Sequence, residues 1–393
     1  MVPEGWSEGK VSDLLVGLES GVSVNGEDRK IEPNEMAVLK VSAVSYGFFD
    51  PTAAKVVDGE ELERAKTNPK HGQIIISRSN TEELVGASAY IDADHPNLFL
   101  PDKLWQTIPK PNSDMKWLSY VLASDHSRYM LSNLSTGTSG SMKNITKGEL
   151  LGLKVLIPPA IEQNKIAQIL SSWDKAITTT EQLLANSQQQ KKALMQQLLT
   201  GKKRLLDKNG VRFSGEWKSN HLKKLLQISK GNQLNKDTLS KSGEYAVING
   251  GIEPSGYTSE YNTEANTITI SEGGNSCGFV GFQPTRFWCG GHCYAIKNLK
   301  IDLNFTYQLL KFNQSKIMRL RVGSGLPNIQ KKDLEALSVD YPISQEEQRK
   351  IAAVLSTADQ EITALQQKLA ALKQEKKALM QQLLTGKRRV TLN

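Results

Sequence analysis

Apolar residues recur at alternating four- and three-residue spacings along two stretches of this chain, and both predict long helices with a heptad seam. In the later stretch Ile351, Leu355, Ala358, Ile362, Leu365, Leu369, Leu372, Leu379 and Leu383 hold the seam, with Lys376 its only charged interruption. In the earlier one Ile166, Leu170, Trp173, Ile177, Leu184, Leu194 and Leu198 do so, while Thr180, Ser187 and Lys191 weaken it. Each stretch runs to a glycine, Gly201 or Gly386, where a left-handed residue caps a helix. Lys202, Lys203 and Arg204, or Lys387, Arg388 and Arg389, follow at the negative end of the helix dipole. About forty residues rising about 1.5 Å each make a rod of roughly 60 Å, the dimension of a spacer.

The two stretches are copies. KKALMQQLLTGK at 191–202 returns letter for letter at 376–387, and in the same register Lys165-Ile166-Ala167 precedes Lys350-Ile351-Ala352, Leu170-Ser171 precedes Leu355-Ser356, and Asp174 precedes Asp359. The duplication reaches into the segments between. Trp6 is followed by Val11, Leu14 and Leu15, and Trp217 by Leu222, Leu225 and Leu226 at the same distances. Gln73-Ile74-Ile75-Ile76 predicts a buried strand, with a polar turn over 77–81 leading to Val85-Gly86. Ile268-Thr269-Ile270 predicts its counterpart, with Ser271, Glu272, Gly273, Gly274 and Asn275 in the turn before Val280-Gly281. Short helices are expected over 117–122 and 305–310, then polar loops over 135–141 and 323–326 ending in Asn144-Ile145 and Asn328-Ile329. Segments 150–155 and 334–339 lead through Pro158-Pro159 or Pro342 into the long helices. A linker with Gly201, Lys202, Lys203, Asn209, Gly210 and Gly215 precedes the second unit. The expected division is 1–157, 158–201, 202–341 and 342–388: two mixed α/β (α+β) domains separated by an antiparallel pair of long helices, an internal pseudo-twofold repeat.

Composition narrows the class. A chain of 393 residues suits two domains plus the rods better than one core. No apolar run approaches a membrane span, and MVPEGWSEGK lacks a signal peptide's apolar core, so a cytoplasmic protein is expected. Three cysteines between Cys277 and Cys293 form no disulfide framework. A net charge of +8 favours an anionic partner, nucleic acid first and no membrane.

Catalytic signatures are missing: there is no P-loop, no His-Glu-x-x-His and no Gly-x-Ser-x-Gly elbow. The run Gly273-Gly274-Asn275-Ser276-Cys277-Gly278 is not followed by a phosphate-gripping Lys, and reads as a turn or strand kink. Cys277, Cys289, His292 and Cys293 could supply four soft zinc ligands, but the stretch 287–296 reads as strand, and buried small hydrophobes are the preferred reading. Arg78 fits an ordinary ion pair and a base-edge donor equally, since Ser77, Asn80 and Thr81 share its turn and Arg and Asn read guanine and adenine. Lys311, Lys316, Arg319 and Arg321 are a solvated helix face or a phosphate clamp.

The doubled proline and Glu-Gln-x-x-Ile-Ala entry, Pro158 to Ala167 and Pro342 to Ala352, and the doubled LMQQLLTGK exit resemble those of the DNA-specificity subunits of type I restriction-modification systems. Gly5-Trp6, the stretch Ile76-Ser77-Arg78-Ser79-Asn80-Thr81 and Gly290-Gly291-His292 resemble that family's target-recognition domains more weakly. The resemblance spans essentially the whole chain. It implies two target-recognition domains, each reading one half of a split, asymmetric site in double-stranded DNA, with the helices setting the spacer. It implies no catalysis and no cofactor in this chain: two modification subunits would bring S-adenosylmethionine for adenine methylation, and restriction subunits ATP and Mg2+. Candidate DNA contacts are then Ser77, Arg78, Asn80, Thr81, Lys143 and Asn144 in the first unit, and Asn249, Tyr257, Asn275, Lys316, Arg319, Arg321 and Asn328 in the second. The competing class is a catalytic DNA-processing protein, such as a recombinase with a coiled-coil spacer, which would need an acidic metal cluster or a nucleophilic Ser or Tyr in a basic setting. A coiled-coil adaptor would leave the charge and the two divergent units unexplained.

Overall fold

In the computed structural model, which describes residues 2–137, 142–323, 325 and 327–391, the two heptad stretches form single helices, Ala160–Leu198 and Gln345–Leu383. The expected polar loops lie partly outside the described residues, at 138–141, 324 and 326. Every seam residue named for the second helix is buried or half-buried, as an a/d stripe facing a partner requires. The interruptions in the first seam have partners of their own. Thr180 and Ser187 are buried, and the Ser187 hydroxyl donates to Glu361 at 3.0 Å. Lys191 pairs with Asp359, and Lys376 with Asp174. Gly201 and Gly386 close the helices at φ +70° and +66°. The Lys203 and Arg388 amides reach back to the Gln197 and Gln382 carbonyls, satisfying end groups that the helix leaves open.

The chain divides into two compact units, one of residues 1–179 with 369–393 and the other of 180–368. Each contains the start of one long helix and the end of the other, running antiparallel. In the first unit Glu162 meets Arg389 and Asp174 meets Lys376; in the second Glu347 meets Arg204 and Asp359 meets Lys191.

In the first unit a four-stranded antiparallel sheet runs in the order Leu15–Ser20, Leu104–Pro109, Ile74–Ser77, Ser88–Tyr90. A mixed three-stranded sheet sets Ala37–Leu39 between Leu98–Phe99, parallel to it, and Ala54–Val56, antiparallel. Strand Ile74–Ser77 is buried along its whole length because it has a core on each face: Ile74 and Ile76 join Trp117, Leu118 and Leu122, while Ile75 joins Ala37, Leu39 and Leu104. Two-sided burial is what makes such a strand a continuous apolar run. The larger core extends into the helix ends through Ile166, Leu170 and Leu383. The expected strand at Val85-Gly86 begins later, at Ser88–Tyr90, because Gly86 still belongs to the turn.

The second unit repeats this frame. Its antiparallel sheet runs Gln227–Lys230, Cys293–Lys297, Thr267–Ser271, Val280–Gln283, and its mixed sheet sets Tyr245–Ile248 between Phe287–Cys289, parallel, and Tyr257–Thr258, antiparallel. The stretch 287–296, expected as one strand, is broken at Gly290-Gly291-His292 into strands of two different sheets. Helices Met115–Ala123 and Leu303–Phe312 stand where short helices were expected, each capped by an aspartate, Asp114 or Asp302, that accepts an amide three residues on. The linker is ordered: Leu206 pairs with Arg212 around a tight turn, and the Lys350 ammonium donates to the Leu206 carbonyl at 2.9 Å.

The Glu-Gln of the helix entry explains how each helix is fixed to its unit. Gln163 donates to the Pro158 carbonyl and accepts from the Asp114 amide; Gln348 does the same with Pro342 and Asp302. Glu162 and Glu347, with side chains 1% exposed, each take a forked pair of hydrogen bonds from an arginine, Arg389 or Arg204. The Trp6 indole adds a third bond to Glu162 at 2.9 Å, whereas the Trp217 indole nitrogen is buried without a partner among the described residues. Burial alone pushes the Glu162 carboxyl up; the bonds from Arg389 and Trp6 and the arginine's charge outweigh it and leave it below its ordinary value.

Arg389→Ala leaves that buried carboxylate with the Trp6 indole and the Val390 amide but no counter-charge. The variant should be less stable than wild type at pH 7, by less than a fully buried broken pair would cost because Arg389 is 42% exposed. A carboxyl held below its ordinary value stabilises the fold above that value and loses the contribution as pH falls below it, so the gap between wild type and variant should narrow below the ordinary carboxyl value of 4.5. Urea unfolding at pH 7 and pH 4 checks this; an equal gap at both would refute the charge argument.

Candidate nucleic-acid interface

In both units the central strand of the antiparallel sheet ends at a serine, Ser77 or Ser271, and the chain then enters a turn whose backbone is held the same way. The Arg78 amide donates to the Lys103 carbonyl and the Arg78 carbonyl accepts from Ile145; Glu272 makes the same two bonds with His292 and Ile329. Gly86 and Gly278 close the turns, each donating to the serine carbonyl, at φ +77° and +88°. Both pass so close to a helix that a Cβ would lie 2.9 Å from Leu131 or from Met318. The backbone frame is thus fixed by its own hydrogen bonds, and the side chains on it are free to differ.

In the first unit the frame gathers residues far apart in sequence. Ser79–Asn80 pairs antiparallel with Lys143–Asn144, Lys143 opposite Asn80 and Asn144 opposite Ser79. Arg78, Asn80, Thr81, Lys143 and Asn144 therefore share one surface. Ser77 is fully buried, offers no surface to a ligand, and accepts from the Asn80 amide group at 3.3 Å. Arg78 is half-buried and braced by Asp102, donating from Nε to its carbonyl at 2.8 Å and from Nη2 to its carboxylate at 3.2 Å. The Asn80 side-chain Oδ1 accepts from the Thr81 amide, and Lys143 reaches the Gly137 carbonyl at 3.4 Å.

The second unit places Glu272 where the first has Arg78, and the sign of the brace inverts with it. The Glu272 carboxylate accepts from Lys230 at 2.7 Å and from the Tyr294 hydroxyl at 3.0 Å, with His292 Nδ1 3.8 Å away. Burial, followed by the Glu272 carboxylate, pushes the Tyr294 phenol above its ordinary value. Gly273 bridges to Asn328, Asn328 pairs with Val322, and the Gly274 amide donates to Pro327; exposed Asn328 is in this ladder, and exposed Asn275 and Arg321 follow or precede its members in sequence. Lys316 and Arg319 are exposed on the adjoining helix Gln314–Arg319. Lys311 is not available with them: its ammonium is turned inward to the Val280 carbonyl and over the Phe279 ring, and burial lowers its pKa. Asn249 accepts from the His292 amide at 3.0 Å and joins the edge of this surface. Tyr257 does not, since its strand belongs to the mixed sheet, opposite Ala246 and Ser240.

The cysteines have other places. Cys277 donates to the Glu272 carbonyl at 3.1 Å, and Cys289 and Cys293 pack with Ile248, Phe287 and Ala295. Among the described residues no group of three or more His, Cys, Asp or Glu is placed to hold a metal ion, and no helix is long and apolar enough to cross a membrane. Asp102, Lys230, Glu272 and Tyr294 were not singled out as site residues, and His292 only as a possible zinc ligand and in the family resemblance; aligning Ile76-Ser77 with Ile270-Ser271 would have brought Glu272 onto Arg78.

The family model described as "Type I restriction modification DNA specificity domain" matches residues 3–186 and again 214–374, one match to each copy of the duplicated frame. The chain belongs to that DNA-specificity family. A type I specificity subunit of Mycoplasma pneumoniae is 39% identical over 155 residues, 39% of this chain and 41% of that one. The specificity subunit of the MjaX enzyme of Methanocaldococcus jannaschii is 27% identical over 99% of this chain and 95% of its own. The match thus spans about two fifths of the mycoplasma relative's length and nearly all of the archaeal one. The crystal structure of an S subunit from M. genitalium has the same fold, with a TM-score of 0.71 at 18% identity, covering 99% of this chain and 97% of that one. The recombinase alternative finds no support among these specificity-subunit relatives.

Gly86→Ala tests the close approach that fixes the first turn. Gly72 has a similar φ of +79° with nothing within 4 Å of a Cβ, so Gly72→Ala should cost only the strain of a left-handed alanine, about 1–2 kcal/mol. Gly86→Ala should cost that and about 1 kcal/mol more for displacing Leu131. Equal midpoints in denaturant would mean that the turn is not seated on the helix.

Proposed function

We propose that this specificity subunit recognises duplex DNA without catalysing any reaction, each unit reading one half of a split site through its post-strand turn. The single observation that carries the reading is the pair of equivalently hydrogen-bonded turn frames with inverted chemistry, Arg78 braced by Asp102 and Glu272 braced by Lys230. A frame kept while its side chains diverge suits two readers of different sequences. Arg78, Asn80, Lys143 and Asn144 present donors to base edges in the first unit; Asn275 and Asn328 do so in the second, with Lys316, Arg319 and Arg321 on phosphates. Modification subunits carrying S-adenosylmethionine are the partners, two in number to match the internal repeat. Restriction subunits bring ATP and Mg2+, and the setting is the cytoplasm.

Reconstitution with a modification subunit, followed by mapping of methylated sites, tests this. The chain alone should bind duplex DNA with strong salt dependence and methylate nothing. Arg78→Ala and Asn80→Ala should each relax one half-site only, with about 1–3 kcal/mol of discrimination lost per good bidentate contact. A uniform loss at both half-sites would assign these side chains to phosphate or to structure.

We also infer that the long helices set the spacer between half-sites. Inserting one heptad after Ala185 and one after Ala370 keeps the seam in register and adds roughly 10 Å at about 1.5 Å per residue. The spacer should grow by up to about three base pairs at about 3.4 Å each, with both half-sites unchanged. An unchanged spacer would remove the helices from that role.

A further inference from the structure

Each unit carries an exposed apolar side chain at the same topological position beside its reading turn. The insertion that follows the central strand of the mixed sheet, Ala37–Leu39 in one unit and Tyr245–Ile248 in the other, projects Phe48, 64% exposed, and Ile252, 61% exposed. A single exposed hydrophobe needs no explanation. Two at equivalent places, on loops of unlike sequence, do.

Both loops are tied to the turn. In the first unit Val44–Ser45 and Phe48–Phe49 form a hairpin around Gly47, at φ +82°, whose amide donates to the Ser88 carbonyl at 2.8 Å. The neighbouring Tyr46 hydroxyl donates to the Glu83 carbonyl, within the reading turn, and Arg128 stacks on the Tyr46 ring at 3.2 Å from its centroid. In the second unit the Ser271 hydroxyl, at the head of the turn, donates to the Gly250 carbonyl at 2.6 Å, two residues before Ile252. The tips are therefore positioned by the same elements that position Arg78 and Glu272. Their own charges are acidic: residues 45–50 carry only Asp50, and residues 249–255 only Glu253. Such loops are unsuited to phosphates and suited to the apolar features of base edges, chiefly the thymine methyl group.

We propose that Phe48 and Ile252 are specificity residues that touch thymine methyl groups, one in each half-site, an inference that rests on the reading of the two turns as half-site readers. The test uses the full chain with its modification subunit, a duplex carrying the mapped site, and duplexes with deoxyuridine replacing each half-site thymine in turn. Phe48→Ala should weaken specific binding about 5- to 50-fold with the salt dependence unchanged, and relax only the half-site that Arg78→Ala relaxes. One deoxyuridine position in that half-site should weaken wild type and leave Phe48→Ala unaffected. Ile252→Ala should do the same, less strongly, in the other half-site. Wild-type affinity in both variants, an equal loss on unrelated DNA, or no deoxyuridine position that distinguishes variant from wild type would overturn the proposal. A wild-type complex that shows no preference for its mapped site would instead overturn the half-site reading beneath it.

Discussion

Glu162 and Glu347 stand in the first turn of their helices with side chains 1% exposed, where an unpaired carboxylate would cost several kcal/mol. Each is neutralised from the far end of its unit, Glu162 by Arg389 and Glu347 by Arg204. In the first unit this joins residues 227 positions apart. That arginine lies about 6 Å from a tryptophan ring in both units, so the tryptophan segment, the helix start and the residues beyond the other helix's end meet at one charge. A second polar layer lies farther along. Asp174 takes Lys376 and the Tyr120 hydroxyl; Asp359 takes Lys191 and the Gln308 amide. A lysine in a heptad seam weakens the apolar contact but has one place to go, and that fixes the register in which the helices pair. The domain side chains that join it, Tyr120 and Gln308, carry the register outward from the helices to the sheets.

Local physics explains why the helices were legible in the sequence and much of the interface was not. The seam is a period, and the caps are glycines at fixed offsets, so both could be read from the letters. The strand Ile74–Ser77 was legible for a different reason: a strand with a core on each face needs an unbroken apolar run. By contrast, Ser79–Asn80 and Lys143–Asn144 are too short to show any period, and they meet only because the frame brings Ile145 back to Arg78. Lys311 and Lys316 look alike in sequence, five positions apart on neighbouring helices, yet one is turned into the core and one faces water. Arg204 and Arg389 were read as dipole complements at helix ends; their larger role, holding a buried carboxylate, depends on a contact that sequence spacing does not announce.

The inverted brace at the reading turn shows how far chemistry can change while the anchoring backbone bonds are kept. Arg78 and Glu272 occupy one position because main-chain bonds alone define it: an amide given to the residue before the neighbouring strand, and a carbonyl offered to an isoleucine. Neither bond depends on the side chain. What the side chain must have is a counter-charge close by, and each unit supplies one from a different element, Asp102 from just before the adjacent strand and Lys230 from the strand beyond it. A change of sign at the turn therefore needs one compensating change nearby and leaves the sheets, the helix contact at Gly86 or Gly278, and the buried carboxylates untouched. The layers that hold each unit together and the surface that distinguishes one unit from the other are separate sets of residues, and that separation lets one duplicated frame carry two different readings.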